Sequence, residues 1–445
     1  MKINNEKIYL EIFFNKLKKR NVKYGILRKW NEILEGDFND IDMCVDYKCI
    51  DKVIKIINEC NYELGWQTSI NTNKDGLKAI HVYKCIDTTV NIIHLDLFKS
   101  INWNGYELIS NNDLMNNIKE YNGIYIMNSC MESAICLISR LIYHGYIKEE
   151  YKSLIYKESN NCNEEFKNIL YKITGEKIAN EIVDMIIYEE WDSIESLCSN
   201  IRRYVKLNAI KNIPSLLFNK FNYYINSLKK VIGPKGLSIV FLGPDGSGKS
   251  TIIDCMKKDL NRTFNAEDTM YLHWRPNYLK QIRKIVTRNE NVLQEDFSKP
   301  HLNESYNKPL SVIKFMYYFV DYIIGNLLKI VPAKMKTRLV IFDRYYYDYF
   351  IDLKRYRLDL SEKFITFFNY FIPKPDITFV LIGDGEIIND RKNELPIDEI
   401  NNQVTKLRNY TSKFNNPITI DVTEPIEHVV YNVNKNILDY LRRRK

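Results

Sequence analysis

A glycine-rich segment restricts what this 445-residue chain can fold into more than any other feature. Residues 243–251 read Gly-Pro-Asp-Gly-Ser-Gly-Lys-Ser-Thr, which matches the phosphate-binding loop pattern of a glycine, four free positions and Gly-Lys-Ser. The apolar run Leu237–Leu242 predicts a strand before the loop, and residues 251–260 predict a helix after it. Glycines let backbone N–H groups turn towards a phosphate, and a helix N-terminus attracts negative charge. The segment predicts a site for a nucleoside triphosphate.

Within this loop, two side chains have expected roles of their own. Lys249 is expected to reach the β- and γ-phosphates, and the hydroxyl of Ser250 is expected to bind Mg²⁺. The expected nucleotide-binding residues are Gly243, Pro244, Asp245, Gly246, Ser247, Gly248, Lys249, Ser250 and Thr251.

Composition is that of a folded soluble protein, with 45% hydrophobic and 27% charged residues. The length predicts two or three domains. The net charge of +8, with basic residues scattered along the chain, suits anionic substrates and does not require a nucleic acid partner. Nine cysteines without a Cys-x-x-Cys pair argue against zinc and a disulfide framework, and they favour a reducing cytoplasm.

The sequence also bears on membrane contact. The N-terminus lacks the apolar core of a secretion signal. The segment Phe315–Val331 is apolar but contains Asp321 and Asn326, which predicts a buried or interfacial helix rather than a membrane span. A cytoplasmic protein is expected, with peripheral membrane contact left open and the oligomeric state undetermined.

Three domains are predicted from the hydrophobic patterns. The first, residues 1–110, mixes strands and helices; the second, residues 111–235, is a helical appendage and linker without a strong strand; the third, residues 236–445, alternates strands and helices as in a parallel sheet. The expected strands are 24–27, 41–45, 90–98, 237–242, 338–342, 377–382 and 418–422, and the clearest helices are 51–60, 131–143 and 181–194.

Asp343 and Arg344 come directly after the apolar run 338–342. Because ligands of an open parallel sheet bind at the carboxyl ends of its strands, both residues are expected to face the phosphate loop. A carboxylate there can hold Mg²⁺ through water or orient an acceptor hydroxyl, and an arginine can stabilise charge on a transferred phosphoryl group. The alternative is a structural Asp–Arg pair that closes the strand.

Residues 236–445 resemble the thymidylate kinase-like group of P-loop kinases. The matching pieces are the loop with its internal Asp245, Phe342-Asp-Arg-Tyr345, Pro375-Asp376 before a strand, a lid segment at 384–394, and the tail 420–429. The resemblance implies an α/β fold with a parallel sheet and helices on both faces, and ATP as phosphoryl donor. It also implies that Asp245 and Asp343 lie near the transferred phosphoryl and that Arg391, with Lys392 as second candidate, is the lid base.

The chain departs from true thymidylate kinases on the acceptor side. Their Glu-Pro-Gly-Gly element is missing, and residues 273–276 read His-Trp-Arg-Pro instead. The pattern resembles a divergent branch associated with surface polysaccharide or glycolipid synthesis, so a small anionic or sugar-type acceptor is expected. Arg275, Arg355 and Arg357 are candidates to grip it, with the tyrosines at 345–347 stacking on a ring. The alternative is a surface helix with a solvated basic face.

In the first domain, Asp40 and Asp42 project from one face of a predicted strand, and Asp96 lies in another. Three such carboxylates can hold two Mg²⁺ ions and activate a hydroxyl for attack on an α-phosphate. With the flanking residues, they resemble the minimal nucleotidyltransferase fold over residues 8–108. The usual Gly-Ser is replaced by Leu27-Arg28, so either Arg28 contacts the phosphates or the domain is a silent acceptor-binding module.

Three functions stay open at this point. The first is a kinase whose N-terminal domain recognises or processes the same substrate; the second is a bifunctional nucleotidyltransferase and kinase. The third is an ATP-binding scaffold docked to a membrane-associated assembly through Phe315–Val331. Arg140, His144 and Lys148, spaced by four residues, are expected to form a solvated or interdomain helix face rather than a substrate site.

Overall fold

The chain divides into two compact units, residues 1–84 with 91–229 and residues 85–90 with 230–445. Both mix helices and strands. The structure, a computed structural model, describes residues 4–36, 38–161, 163–233, 236–264, 269–279, 305–392 and 395–444.

The first unit is built on a mixed sheet. Its strands β1 to β9 are Tyr24–Ile26, Ile41–Val45, Gln67–Asn73, Leu77–Ile86, Thr89–Phe98, Ile101–Trp103, Tyr106–Ile109, Ile118–Tyr121 and Ile124–Met127. Seven of these described strands form one sheet in the order β3-β4-β5-β2-β1-β9-β8, and β6 pairs with β7. Strand β2 is central, antiparallel to β1 and parallel to β5.

Helices cover both faces of this sheet. Because successive strand residues point to opposite faces, Met43 enters a core with the first and third helices, while Cys44 enters a core with the later helices. By the same alternation, Asp42 shares the face of Cys44. Helices α1 to α11 are Asn5–Lys19, Trp30–Glu35, Ile50–Leu64, Asn111–Asn116, Ser129–His144, Glu149–Asn161, Asn163–Thr174, Glu176–Ile187, Trp191–Ser196, Cys198–Ala209 and Ile213–Ile232.

The prediction that residues 111–235 lack strands was wrong. Strands β8 and β9 lie there, and β9 pairs in parallel with β1. Strand β8 is an edge strand whose residues are mostly exposed, so it lacks the apolar alternation that marks a strand in sequence. The predicted helix 181–194 is also two helices, α8 and α9, because Glu189 takes a left-handed backbone conformation between them.

The second unit is built on a parallel sheet. Its strands β10 to β14 are Leu237–Leu242, Met270–His273, Leu339–Asp343, Ile377–Ile382 and Pro417–Asp421. The order is β11-β12-β10-β13-β14, and every pair is parallel. Helices α12 to α19 are Lys249–Asp259, Lys308–Gly325, Val331–Met335, Asp348–Ile351, Glu362–Asn369, Gly385–Arg391, Ile397–Tyr410 and Ile426–Arg443.

This architecture places β10 at the centre of the sheet, where all six of its residues are buried. Val240 and Leu242 pack into a core that includes Phe315 of α13. The predicted α/β class, a parallel sheet with helices in the second unit and an α+β first unit, is confirmed. Strand β11 was not predicted.

The apolar segment Phe315–Val331 forms most of α13, a π-helical turn at Asn326–Ile330 and the start of α14. Asp321 is fully buried within it. Among the helices of the described residues, none combines the length and apolar character that crossing a bilayer requires.

Candidate active site

The glycine-rich loop joins β10 to α12 at the carboxyl edge of the parallel sheet. Gly246 and Gly248 have φ angles of +86° and +81°, in the left-handed region that favours glycine. A side chain at Gly243 would place its Cβ 2.7 Å from the Ser247 hydroxyl, and one at Gly246 would lie 2.6 Å from the carbonyl oxygen of Ile388. The loop therefore needs glycine for conformation and for space.

Lys249 begins α12 and is buried. Its ammonium group donates hydrogen bonds to the carbonyl oxygens of Gly243 and Pro244, both at 2.8 Å. Burial, together with nearby Arg344, lowers the pKa of Lys249 to about 8. A phosphate that replaced the carbonyls as its partner would favour the charged form further. Ser250 and Thr251 follow it and are exposed.

Asp245, inside the loop, is held by two arginines. Arg344 donates a short hydrogen bond to one carboxylate oxygen, and Arg355 donates to the other at 2.5 Å. Although burial raises the pKa of Asp245, Arg344, Lys249 and Arg355 hold it far below its usual value. Asp245 is therefore charged across the physiological range and ties the loop to two later segments of the chain.

Asp343 ends β12, beside the loop. Tyr271 donates a hydrogen bond to its Oδ2 at 2.8 Å, and the His273 Nδ1 lies 3.9 Å from the same oxygen. The other oxygen, Oδ1, is buried and has no hydrogen-bond partner in the part of the chain that the structure describes. A buried unpaired carboxylate oxygen is costly, so this atom is suited to a ligand hydroxyl or a hydrated metal.

Arg344 has a φ of +71° and donates to Asp348 at 3.3 Å as well as to Asp245. Its backbone N–H donates to the carbonyl oxygen of Phe241 on β10 at 3.0 Å. A positive φ strains the backbone of a residue other than glycine, and such a conformation persists only where surrounding contacts hold it. Here the two carboxylates that accept from the Arg344 guanidinium do so. The structure thus brings Lys249, Asp245, Asp343 and Arg344 together at one edge of the sheet.

The other predicted acceptor residues lie in different surroundings. Arg275 is 2% exposed and pairs with the fully buried Asp321 at 2.6 Å, so the prediction that it grips a substrate finds no support. Arg355 donates to Asp352 at 3.1 Å besides Asp245. Arg357 lies over the ring of Tyr306, with its Cζ 4.5 Å from the centroid.

Neither sequence interpretation of the tyrosines at 345–347 fits the structure. They do not stack on an open surface, and they do not lie on a solvated helix. All three are buried in the core beneath β12. Tyr345 and Tyr346 donate hydrogen bonds to backbone carbonyl oxygens, each at 2.7 Å. These tyrosines therefore support the end of β12 and do not line the acceptor site.

Helix α17 carries the predicted lid base. The backbone of Ile388 in this helix lies against Gly246, so α17 packs on the phosphate loop. Arg391 and Lys392 are exposed at its C-terminal end. Residues 393 and 394, also part of the predicted lid, lie outside the described residues.

In the first unit, Asp42 and Asp96 are neighbours in register on the parallel strands β2 and β5. Both are largely buried, and each has its own partner: Arg28 donates a short hydrogen bond to Asp42, and His94 lies 3.1 Å from Asp96. Burial raises the pKa of Asp42 although Arg28 opposes the shift. Arg28 also donates to the Tyr151 hydroxyl at 3.2 Å.

Asp40, the third predicted metal ligand, is exposed just before β2. Over the described ranges, no group of three or more His, Cys, Asp or Glu side chains is arranged to hold a metal ion. The prediction of two Mg²⁺ ions at Asp40, Asp42 and Asp96 therefore finds no support in this geometry, because a guanidinium already neutralises Asp42.

The helix face predicted at Arg140, His144 and Lys148 ends close to this cluster. Arg140 lies 5.8 Å from the centroid of the Tyr151 ring, and His144 is exposed. Lys148, beyond the end of α5, pairs with Glu150 at 3.5 Å. The face is thus partly solvated, as expected, and partly packed on α6.

Sequence reasoning missed Tyr271, Asp348, Asp352 and Tyr151, each of which contacts a predicted site residue. Tyr271 and Tyr151 lie 72 and 123 residues from their partners, a separation that no local pattern bridges. Asp348 and Asp352 lie only four and three residues from theirs, so helical spacing was the available signal for them. The short alternation of Met270–His273 next to the His-Trp-Arg-Pro element was the available signal for Tyr271.

Comparison with known proteins agrees with the geometry of the second unit. Residues 241–433 match the family model described as thymidylate kinase. This part of the chain is a thymidylate kinase-like domain. The match covers less than half of the chain and none of the first unit.

A solved structure titled thymidylate kinase from Ehrlichia chaffeensis is 16% identical to this chain. The alignment covers 45% of this chain and 98% of that one, with a TM-score of 0.31. No conclusion about this chain rests on a similarity this low. No curated protein matches the chain significantly. The thymidylate kinase-like domain supports the interpretation of this protein as a nucleotide kinase.

Proposed function

We propose that this protein is an ATP- and Mg²⁺-dependent kinase that phosphorylates a small anionic or sugar-type acceptor through its domain at residues 236–445. One observation carries the proposal. Lys249 lies buried under a glycine loop, and Oδ1 of Asp343, which has no hydrogen-bond partner among the residues that the structure describes, lies at the end of the adjacent strand. A phosphoryl donor and an acceptor hydroxyl each have a side chain suited to them.

The donor side of the site fits ATP with Mg²⁺. The left-handed backbones of Gly246 and Gly248 would let loop N–H groups turn towards a phosphate, and Lys249 would exchange its loop carbonyls for the β- and γ-phosphates. Ser250, whose exposed hydroxyl lies at the start of α12, would hold Mg²⁺, and the carboxylate of Asp343 is a second group that could hold it through water. When bound, the metal neutralises charge on the phosphates.

On the acceptor side, Asp343 would accept a hydrogen bond from the attacking hydroxyl and orient its oxygen. The acceptor oxygen then bonds to the γ-phosphorus while the bond to the bridging oxygen breaks, ADP leaves, and the hydroxyl proton passes to Asp343 or to solvent. Arg344, whose guanidinium is fixed by Asp245 and Asp348, meets the charge that develops on the transferred group.

Arg391 is proposed as the lid base. It is exposed at the end of a helix that packs on the loop through Ile388, so a small movement of that helix would bring it towards the phosphates. Closure of this kind would exclude water and suppress hydrolysis of the donor.

A second candidate function is a nucleotidyltransferase activity in residues 1–110, with residues 111–235 as its helical appendage. The observation in its favour is that Asp42 and Asp96 face each other in register on paired strands. Arg28 on Asp42 argues instead for an acceptor-binding module without metal chemistry. Pyrophosphate release that survives Lys249→Ala and is lost in Asp42→Asn would establish the second activity.

The alternative without catalysis is an ATP-binding scaffold. We propose that the kinase is a cytoplasmic enzyme with membrane contact at its surface. The two functions differ in turnover: a scaffold binds ATP and forms no ADP with any acceptor.

The deciding experiment measures ADP formation from ATP with a panel of sugars, sugar phosphates, nucleoside monophosphates and polyol phosphates. The natural protein should turn over with one acceptor class. Lys249→Ala should lose at least about a thousandfold of that rate, because it removes the cation at the transferred phosphate. Lys258→Ala, an exposed lysine on the same helix, is the matched control and should be unchanged. Equal rates for Lys249→Ala and the control would exclude the loop as the catalytic element.

A further inference from the structure

Helix α11, Ile213–Ile232, carries an apolar stripe that faces outward. Six large apolar residues recur every three or four positions and are 49–64% exposed. At 3.6 residues per turn they fall within about 80° of one another around the helix axis. They are Ile213, Leu217, Phe221, Tyr224, Leu228 and Val231.

A neighbouring face of α11 is anchored to the hairpin of β6 and β7. Lys220 donates to the Asn104 carbonyl oxygen at 2.7 Å and lies 3.5 Å from the centroid of the Tyr106 ring. Tyr223 donates to the Asn104 side chain at 3.2 Å. These contacts, all within the first unit, fix the rotation of the helix against the hairpin.

The chain segment that carries the stripe has charges of one sign. No Asp or Glu lies between Glu195 and Asp245, whereas eight basic residues do: Arg202, Arg203, Lys206, Lys211, Lys220, Lys229, Lys230 and Lys235. Of these, Arg203, Lys206, Lys211 and Lys229 are exposed. Leu207 and Ile210, which extend the apolar surface beyond the start of α11, are 57% and 55% exposed.

We propose that α11 and the end of α10 bind the surface of an anionic lipid membrane. An apolar helix face flanked by lysine and arginine lies in the plane of the headgroup region, where acyl chains meet the stripe and acidic headgroups meet the bases. A second copy of the chain is the less favourable occupant, because two stripes face to face would bring together two basic segments that contain no acid.

The test is co-sedimentation of the full chain with phosphatidylcholine vesicles and with vesicles containing about 30% phosphatidylglycerol. Binding should require the anionic lipid and should fall when the ionic strength rises from about 0.1 M to 1 M. Leu217→Gln with Phe221→Gln should weaken binding by about tenfold or more, since the two side chains are 64% and 63% exposed and lose their apolar contact. Lys206→Ala with Lys211→Ala and Lys229→Ala should weaken it about as much.

The matched control uses Ile313 and Leu327, which are 66% and 65% exposed on the other apolar helical segment. Ile313→Gln with Leu327→Gln should leave vesicle binding unchanged. Equal loss in both pairs, or no binding to anionic vesicles, overturns the assignment to α11. So does a dimer in analytical ultracentrifugation that Leu217→Gln with Phe221→Gln dissociates while vesicle binding is absent. Lys249→Ala should bind vesicles normally, which separates this result from failure of the proposed kinase function.

Discussion

Both units place a carboxylate on a buried strand next to an arginine, yet the two carboxylates are used differently. In the second unit, Asp343 has one oxygen engaged by Tyr271 and the other without a hydrogen-bond partner among the described residues. In the first unit, Asp42 is neutralised by Arg28, and its neighbour Asp96 pairs with His94.

The difference follows from the segment beside each carboxylate. The glycine-rich loop follows β10, which pairs with the strand of Asp343, and the nearby Arg344 is turned towards Asp245 and Asp348 instead of Asp343. Next to Asp42, the backbone N–H of Leu27 donates to the Asp42 carbonyl oxygen at 2.8 Å, which brings the following Arg28 onto the carboxylate. A carboxylate on a strand is a candidate for binding a substrate or metal ion only where the protein leaves one of its oxygens without a hydrogen-bond partner.

The largest expected effect comes from removing the carboxylate of the second unit, and removal of the carboxylate of the first unit is the comparison. Asp343→Asn should reduce phosphoryl transfer by about 10² to 10⁴, because the amide cannot accept the acceptor proton. Asp42→Asn, in the same ADP-release assay, should keep the natural rate. Loss of transfer in Asp42→Asn would show that the two sites are not separate in function.

A smaller effect is expected on stability in the first unit. Burial raises the pKa of Glu132 to about 6, although the Lys29 backbone N–H favours its charged form. Because the folded pKa exceeds the unfolded one, the stability this carboxyl contributes is present below about pH 4.5 and is lost as pH rises to about 6. Glu132→Gln should therefore raise the free energy of unfolding by about 2 kcal/mol at pH 7.5 and by nearly nothing near pH 4.5.

Urea unfolding followed by tryptophan fluorescence measures this change, since four of the five tryptophans, Trp30, Trp66, Trp103 and Trp191, lie in the first unit. Phosphoryl transfer should be unaffected by the substitution. A destabilised Glu132→Gln protein at pH 7.5 would mean that the fold needs the charged form of this carboxyl, the opposite of the expected sign.

The smallest effect concerns the pH dependence of ATP binding. The pKa of Lys249 is about 8 in the free protein, and the phosphates would raise it, so binding takes up a proton above that pH. The Kd for ATP should be constant below about pH 8 and rise by about tenfold per pH unit above it. Lys249→Arg keeps its charge and should bind with a flat profile. A sloping profile in Lys249→Arg would assign the titration to another group.

Local patterns carried the prediction of the second unit. The run Leu237–Leu242 and the loop after it are contiguous, and Asp343 follows an apolar strand, so spacing alone indicated that they meet at one sheet edge. The partners of Arg275 and Asp245 could not be predicted in this way. Asp321 and Arg355 lie 46 and 110 residues away, and only the folded chain brings them together.

The first unit shows where sequence patterns fail. Strands β8 and β9 are short, and β8 is exposed, so neither has the periodicity of a buried strand. Basic residues are about as frequent at 196–244 as elsewhere in the chain, but this segment contains no Asp or Glu, which the overall net charge does not reveal. The apolar stripe of α11 has helical spacing in the sequence, but its exposure is visible only in the structure, where the hairpin at Asn104 packs on a neighbouring face.

The central claim is that the loop at 243–251 binds the phosphates of ATP through Lys249, independently of the carboxylates of the first unit. Isothermal titration calorimetry with ATP and Mg²⁺ tests it most directly. We expect saturable heat from the natural protein and from Asp42→Asn, and none from Lys249→Ala. Heat from Lys249→Ala equal to that of the natural protein, or none from the natural protein, would contradict the claim.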